Sequence, residues 1–209
     1  MNSSSHNVER ALVDVRRAYR LLHDYQRAAL DTAKYIGAQL GVTYRDGYPR
    51  FSDPAPKKGR NALNCWAWDW LNFVHFDLNF FKPLQQGELG LSIMFFSDTG
   101  IYSGEPSESA DPNHLTFASV ENSKTQVGFL LFPTWNDEWD RLLYDHDALR
   151  CFLQNDGKLP DALQLGGCIA KCFNFSQMSN QSATDEVITA LIQFAEGAGH
   201  HLERIKKLA

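Results

Sequence analysis

The sequence has no long hydrophobic run. Its longest apolar stretches, such as residues 127–133, cover about seven residues, whereas a membrane-spanning helix needs roughly 20. The first residues also lack the basic start, apolar centre and small-residue cleavage site of a signal peptide. We therefore expect no transmembrane helix and no contact with a membrane, and we expect the protein in the cytoplasm.

Cysteine is scarce as well. The four cysteines, Cys65, Cys151, Cys168 and Cys172, are too few and too far apart for a disulfide-stapled secreted scaffold. Each lies among apolar or aromatic residues, which is typical of a free buried thiol. Cys168 and Cys172 are four residues apart, but in a strand this spacing spans about 13 Å, beyond the reach of a disulfide or a shared metal ion. We expect this pair to be structural, with no metal bound.

Motifs of high specificity are missing too. The sequence contains no phosphate-binding glycine loop, no dinucleotide fingerprint, no His-Glu-x-x-His and no nucleophile elbow. These absences exclude the commonest enzyme classes, although they leave open enzymes whose catalytic residues are scattered. No cofactor is expected.

Apolar residues and charge are plentiful but unevenly arranged. A hydrophobic share of 44%, with 14 Phe, excludes wholesale disorder. The net charge is −5, yet residues 1–60 hold 11 Lys and Arg against 6 Asp and Glu, while residues 61–209 hold 9 against 19. The two ends could attract each other, or the basic end could attract a polyanion, while the acidic main body disfavours nucleic acid as a partner.

The N-terminal segment carries the clearest periodicity. Residues spaced by four and three predict one amphipathic helix over residues 1–41, with its stripe starting at Val8 and with Gly41 as its C-terminal cap. The stripe consists of Val8, Leu12, Val15, Tyr19, Leu22, Gln26, Ala29, Ala33, Ile36 and Leu40. As a helix, the segment from Val8 to Leu40 would be about 50 Å long, which is longer than one sheet face needs. Part of it should project, kink near Gly37 or pair with a second copy; the alternative is packing on its own sheet.

Together with this helix, the pattern of the remaining residues predicts a single α+β domain over residues 1–209. Its sheet should be mainly antiparallel and five-stranded, with two further helices packed on it. The predicted strands are 65–81, 88–97, 115–120, 126–132 and 167–175, and the helices lie at 134–153 and 182–205. Residues 44–60, rich in Pro and Gly, predict a loop. Residues 97–114, polar and acidic, predict a mobile loop with almost nothing to bury.

The odd positions of the first predicted strand could carry chemistry. Asp69, His75, Asp77 and Asn79 share one face, since side chains alternate along a strand. Carboxylates with an imidazole could hold a hard divalent cation such as Mg²⁺ or Mn²⁺, or serve as acid and base. The alternative is a solvated sheet face, which is common in antiparallel sheets.

The order of elements is similar to the core of restriction-endonuclease-like nucleases. That resemblance implies an acid at a strand end, here Asp77 or Asp98, followed in the next strand by Asp or Glu, one residue and then Lys. Glu121 and Lys124 have two residues between them instead of one and fall in a predicted turn. Lys171 lies in a predicted interior strand, where it would have to be paired, neutral or at the strand's edge, and a salt bridge to one of the acids is the expected explanation.

Two functions from different classes remain. The first is a non-enzymatic binding or regulatory protein that acts through protein–protein contacts, with a protein partner or a second copy bound by the N-terminal helix. The second is a metal-dependent hydrolase of phosphodiesters, active or degenerate, that uses His75, Asp77 and Asp98 with Lys171 or Lys124. Convergence of those side chains would favour hydrolysis, and their scatter would favour binding.

Overall fold

Alternating apolar side chains build one antiparallel sheet at the centre of the fold. Each strand pairs with the next one along the chain, in the order β1-β2-β3-β4-β5. The strands are β1 (Thr43–Pro49), β2 (His75–Pro83), β3 (Glu88–Phe96), β4 (Gln126–Phe132) and β5 (Ile169–Asn174). The predicted α+β class and the five-stranded antiparallel sheet are thereby confirmed.

The computed structural model describes residues 2–49, 74–84, 87–102, 117–132, 146–155, 157, 159 and 167–205, with the backbone alone for residues 2–7, 9 and 146. Helices α1 (Asn2–Leu40), α2 (His146–Gln154) and α3 (Gln181–Gly197) lie in this part of the chain. Short 3-10 helices cover Thr99–Tyr102 and Phe175–Met178. Within these residues no helix is both long enough and apolar enough to cross a membrane.

Each face of the sheet has its own apolar cluster. On the first face, side chains such as Leu91, Ile93 and Phe129 pack with the C-terminal half of α1 and with α3. On the second face, Met94 and Phe96 are among the side chains that pack with α2 and with the 3-10 helix Thr99–Tyr102. β3 and β4 are buried on both faces because a layer covers each side of the sheet.

The C-terminal half of α1 lies tightly on the sheet. Its inward positions are fully buried, and at Gly37 a Cβ atom would approach Phe80 Cε1 to 2.8 Å. Gly37 therefore permits a close approach, and the helix runs without interruption from Asn2 to Leu40. Gly41, at φ 66°, ends it as predicted, and the amide of Val42 donates to the Gly37 carbonyl at 3.1 Å.

Polar contacts add to this docking. The Tyr35 hydroxyl donates to Asp185 Oδ1 of α3 at 2.7 Å, and this hydrogen bond, together with burial, raises the pKa of Tyr35. The Tyr25 hydroxyl lies 2.9 Å from Ser97 Oγ, and burial raises the pKa of Tyr25. Among the described residues, Tyr25 is the first side chain of α1 that packs against the first-face cluster.

Two strand predictions are wrong in the described residues. Residues 44–49, predicted as loop, belong to β1, which tolerates Gly47 and Pro49 because it lies at the edge of the described sheet. Residues 117–120, predicted as strand, form a bend and a turn, so β4 pairs directly with β3. The fifth strand of the described sheet is therefore β1, and residues 117–120 are not part of a strand.

Other boundaries differ in ways that matter for the site. The start of the predicted mobile loop is ordered: Gly100, Ile101 and Tyr102 are buried in a 3-10 helix. β5 is an edge strand of the described sheet and not the predicted interior one. Helix α3 is capped by Asn180, whose side chain accepts from the Ala183 amide, so it begins one residue before the predicted start at 182. Predicted features at 65–73, 103–114 and 134–145 lie outside the described residues.

Candidate functional site

A line of buried polar side chains crosses the second face of the sheet. His75, Asp77 and Asn79 alternate along β2, so all three point to this face, and each is at most 3% exposed. The alternation of these residues was correctly predicted, but the expected solvated face is wrong. This face is covered, and polar groups buried in such a place require hydrogen-bond partners.

His75 has two hydrogen-bond partners, one at each ring nitrogen. Its Nε2 atom lies 3.0 Å from Asp77 Oδ1, and its Nδ1 atom lies 2.6 Å from the Tyr102 hydroxyl. The imidazole ring also packs on Phe96, with ring centroids 4.4 Å apart. With Asp77 ionised, Nε2–H donates to the carboxylate, and Nδ1 accepts the proton of the tyrosine hydroxyl. The chain Tyr102–His75–Asp77 therefore fixes the tautomer and the orientation of the imidazole.

The hydrogen-bonded series Tyr102–His75–Asp77 could serve either of two purposes. A hydroxyl backed by an imidazole, itself oriented by a carboxylate, is the arrangement of acid–base relays. The same arrangement also satisfies three buried polar groups and holds the 3-10 helix against the sheet. The relay could act only on a molecule that reaches Tyr102. The surroundings of Tyr102 therefore decide whether an acid–base role is available besides the structural one.

Asn79 continues the line towards the sheet edge. Its Nδ2 atom donates to Asp46 Oδ1 of β1 at 2.9 Å. Its Oδ1 atom and the hydroxyl of Ser92, its partner residue on β3, are buried and make no hydrogen bond with the described residues. Asn79 thus links β1 to the polar line, and Asp46 is a member that sequence reasoning missed.

A cavity of about 310 Å³ lies at the other end of the line. Tyr102 belongs to its wall, together with residues of the turn before β4 and of helix α2. The charged side chains among its described lining residues are Lys124 and Arg150, and the neutral polar ones include Thr99 and Gln126. Tyr102 therefore connects the His75–Asp77 pair with a polar cavity.

The other candidate residues are only partly brought together. Asp98 is not among the described lining residues of the cavity. Its Oδ1 atom accepts from the amide of Gly100, which does line the cavity, at 2.8 Å and so orders the 3-10 helix. Glu121 and Lys124 lie in the connection before β4, as predicted. Lys171 alternates on β5 with Ile169 and Phe173 of the first face, and its Nζ atom lies 5.4 Å from the Phe194 ring. Lys171 is therefore on the opposite side of the sheet from His75.

A metal centre is not formed by these residues. Within the described ranges, no group of three His, Cys, Asp or Glu side chains could hold a metal ion. Both ring nitrogens of His75 already have protein partners. Asp69 lies outside the described residues. The hydrolase hypothesis therefore stays a prediction, and the described site offers an acid–base chain without a set of metal ligands.

The described cysteines show no sign of a reactive thiol. Cys151, Cys168 and Cys172 are free thiols, and the last two are buried. Burial raises the pKa of the Cys168 thiol, whose Sγ donates to the Leu131 carbonyl at 3.0 Å. A thiol held in its protonated form is a poor nucleophile.

A second feature of functional interest is the N-terminal half of α1. The five large stripe positions ahead of Tyr25 are between 45 and 70% exposed, although stripe positions from Ala29 onwards are fully buried. These five residues, called the exposed stripe below, are Val8, Leu12, Val15, Tyr19 and Leu22. One uninterrupted helix thus packs with one half on its own sheet and presents the same stripe to solvent with the other half.

Sequence reasoning named Lys124 but missed the other polar residues of the cavity wall, among them Tyr102, Arg150 and Gln126. Tyr102 was assigned to a mobile loop, although a Tyr after an Ile in an otherwise polar segment was a signal for a buried anchor. Arg150 belongs to no motif, and in the structure it pairs with Asp147, three residues earlier, at 2.9 Å. Gln126, at the start of β4, carried no signal of its own.

Comparison with known proteins gives a family but no activity. The family model described as PM0109 matches residues 5–200, which is nearly the whole chain. Neither a curated protein nor a solved structure matches significantly. Function is therefore argued from the geometry above.

Proposed function

The chain belongs to the PM0109 family, and we propose that it is a non-enzymatic binding protein that acts through protein–protein contacts. The partner is a second copy, which pairs with the exposed stripe of α1. One observation carries this proposal: the stripe presents five large apolar side chains to solvent on a helix that is otherwise firmly docked. Contiguous exposed apolar surface of this kind marks interaction sites.

The spacing of the stripe favours another helix as its partner. Intervals of four and three residues are those of a two-helix coiled coil, in which each side chain inserts between four residues of the facing helix. Ala11 and Ala18 lie beside the stripe, and their small side chains allow two helix backbones to approach closely. A second copy presents the same stripe, so the contact is self-complementary.

The buried acid–base chain supports a non-enzymatic role. Asp77 is 0% exposed and His75 is 1% exposed, and each bonds to protein groups. The arrangement accounts for these residues as a network that joins β2 to the 3-10 helix. Reactivity is not needed to explain why polar residues lie on this face.

The free thiols support a cytoplasmic location. Disulfides persist in oxidising compartments, while cytosolic proteins keep their cysteines reduced. Cys151, Cys168 and Cys172 are all unbridged in the described chain. We propose a cytoplasmic location on this basis.

Analytical ultracentrifugation of the full chain over a range of concentrations tests self-association. The wild type should shift from monomer to dimer as concentration rises, and Leu22→Glu should remain monomeric because two carboxylates would meet in the contact. Leu21→Glu is the matched control: Leu21 is 70% exposed, more than Leu22 at 46%, but lies off the stripe. The control should dimerise like the wild type.

Two results would overturn the proposal. One is a wild type that stays monomeric at every concentration, which would leave the stripe without a second copy as its occupant. The other is equal loss of association in Leu21→Glu and Leu22→Glu, which would place the contact elsewhere or make it a general effect of charge.

A further inference from the structure

We propose that the cavity beside Tyr102 binds a small molecule that carries an oxyanion and hydroxyl groups. Arg150 and Lys124 hold the oxyanion, and the neutral polar residues of the wall bind the hydroxyls. The site lies on the second face of the sheet, against α2, whereas α1 packs on the first face. It is therefore independent of self-association through α1.

The walls of the cavity are built in advance. Thr99 and Lys124 are joined twice: the Thr99 amide donates to the Lys124 carbonyl at 3.0 Å, and the Lys124 amide donates to Thr99 Oγ1 at 2.9 Å. The Thr125 hydroxyl donates to the Ser97 carbonyl at 2.9 Å. These bonds connect the 3-10 helix with the turn before β4, so a ligand meets a formed pocket and not a loop that it must order.

The charge of the wall selects an anion. Lys124 and Arg150 are both cationic, and the described lining contains no acidic side chain. Arg150 donates through Nη2 to the exposed Asp147, and its side chain is 25% exposed and lines the cavity. A guanidinium is suited to carboxylate or phosphate oxygens. An oxyanion in the cavity would be bound by the guanidinium of Arg150 and the ammonium group of Lys124.

Size and polarity narrow the ligand further. A volume of about 310 Å³ is at the lower end for small-molecule sites, which fits a molecule of sugar-phosphate or hydroxy-acid size. Thr99, Asn122, Ser123 and Gln126 offer hydroxyl and amide groups that match ligand hydroxyls. Tyr102 is 2% exposed, and its hydroxyl is held by His75, so it presents a fixed contact at the cavity wall.

Thermal-shift and calorimetric titrations of the full chain test the proposal. The probes are inorganic phosphate, glycerol 3-phosphate and malate, each at up to roughly millimolar concentrations, where weak anion sites fill. At least one probe should stabilise the wild type in a saturable way, since a ligand that binds only the folded state raises its stability. Tighter binding of glycerol 3-phosphate identifies a phosphate site, and tighter binding of malate identifies a carboxylate site.

The variants separate the cavity from general charge effects. Arg150→Met and Lys124→Met keep the apolar stems and remove the charges, and each should weaken binding about tenfold or more. Lys124 is exposed, so Lys124→Met keeps the test available if Arg150→Met fails to fold. Lys171→Met is the matched control, because it removes one cation on the opposite sheet face. It should bind like the wild type.

The proposal is overturned if none of the three probes stabilises the wild type. It is also overturned if Lys171→Met weakens binding as much as Arg150→Met and Lys124→Met, because the anions would then respond to net charge. Tyr102→Phe adds a further check: it should reduce the preference for glycerol 3-phosphate over inorganic phosphate, since only the former has hydroxyls to place at the wall.

Discussion

Ile36 and Leu22 occupy equivalent positions of one helical stripe, yet their surroundings differ completely. Ile36 is 0% exposed against the sheet, and Leu22 is 46% exposed on the projecting half of α1. Truncation of each side chain to Ala removes the same number of carbon atoms from the same helix. The pair Ile36→Ala and Leu22→Ala therefore measures directly which half of α1 is docked.

The expected losses follow from burial. At about 0.8 kcal/mol for each buried methylene-sized group, Ile36→Ala loses about 2.5 kcal/mol of transfer free energy, and the cavity left behind brings the total to about 2–5 kcal/mol. Leu22 is far less buried than Ile36, and Ala has the better helix propensity. The free energy of unfolding should then change by less than about 0.5 kcal/mol for Leu22→Ala.

Urea unfolding followed by circular dichroism, at a concentration where the chain is monomeric, gives both values. In the dimer, Leu22→Ala removes the part of the side chain that association would bury. Scaled by its 46% exposure, this is about 1 kcal/mol for each copy and about 2 kcal/mol for the dimer, or about 30-fold in the dissociation constant. A monomeric Leu22→Ala variant destabilised as much as Ile36→Ala would refute the reasoning, because the projecting half would then pack within its own subunit.

Two further predictions concern buried polar groups. Asp77→Ala should lower the free energy of unfolding by about 1–3 kcal/mol because it leaves a buried imidazole donor without its acceptor. In a double-mutant cycle with His75→Ala, the two losses of unfolding free energy should be less than additive. Strict additivity would contradict the 3.0 Å contact between the two side chains. Burial raises the pKa of the Cys168 thiol above 9.0 in the folded state, so the folded protein retains a proton that the unfolded chain loses at high pH. This thiol therefore leaves the free energy of unfolding unchanged below pH 9.0 and lowers it as the pH rises above that value. The free energy of unfolding should therefore fall more steeply above pH 9.0 in the wild type than in Cys168→Ala, and equal slopes would exclude this thiol as a source of alkaline sensitivity.

Much of the fold was predictable where a pattern is long. The stripe from Val8 to Leu40 and the cap at Gly41 predict α1 because helix periodicity repeats over many turns. β3 and β4 follow from short apolar runs bounded by turn residues. β1 was missed because Gly47 and Pro49 indicate a loop when the edge position that tolerates them is unknown.

The site was predictable only in part. Alternation along β2 brings His75 and Asp77 to one face, and this follows from strand geometry alone. Their burial does not, because the layer above them includes Tyr102 from a segment whose polar composition suggested nothing to bury. Long-range packing, here between β2 and a 3-10 helix after β3, has no local signature. The cavity wall has the same origin, since it combines three separate segments.

The two outer strands of the described sheet also limit how copies can join. An unpaired strand edge invites further strands to add and leads to open-ended assembly. β1 shifts register between Tyr44 and Asp46 and ends at Pro49, and β5 is six residues long and carries Lys171. A bulge, a proline, a short strand and a lysine are all features that discourage such addition. A second chain added at one sheet edge leaves the opposite edge of the described sheet open to a third, whereas the proposed pairing along α1 closes after two chains, so the blunted edges favour the closed form.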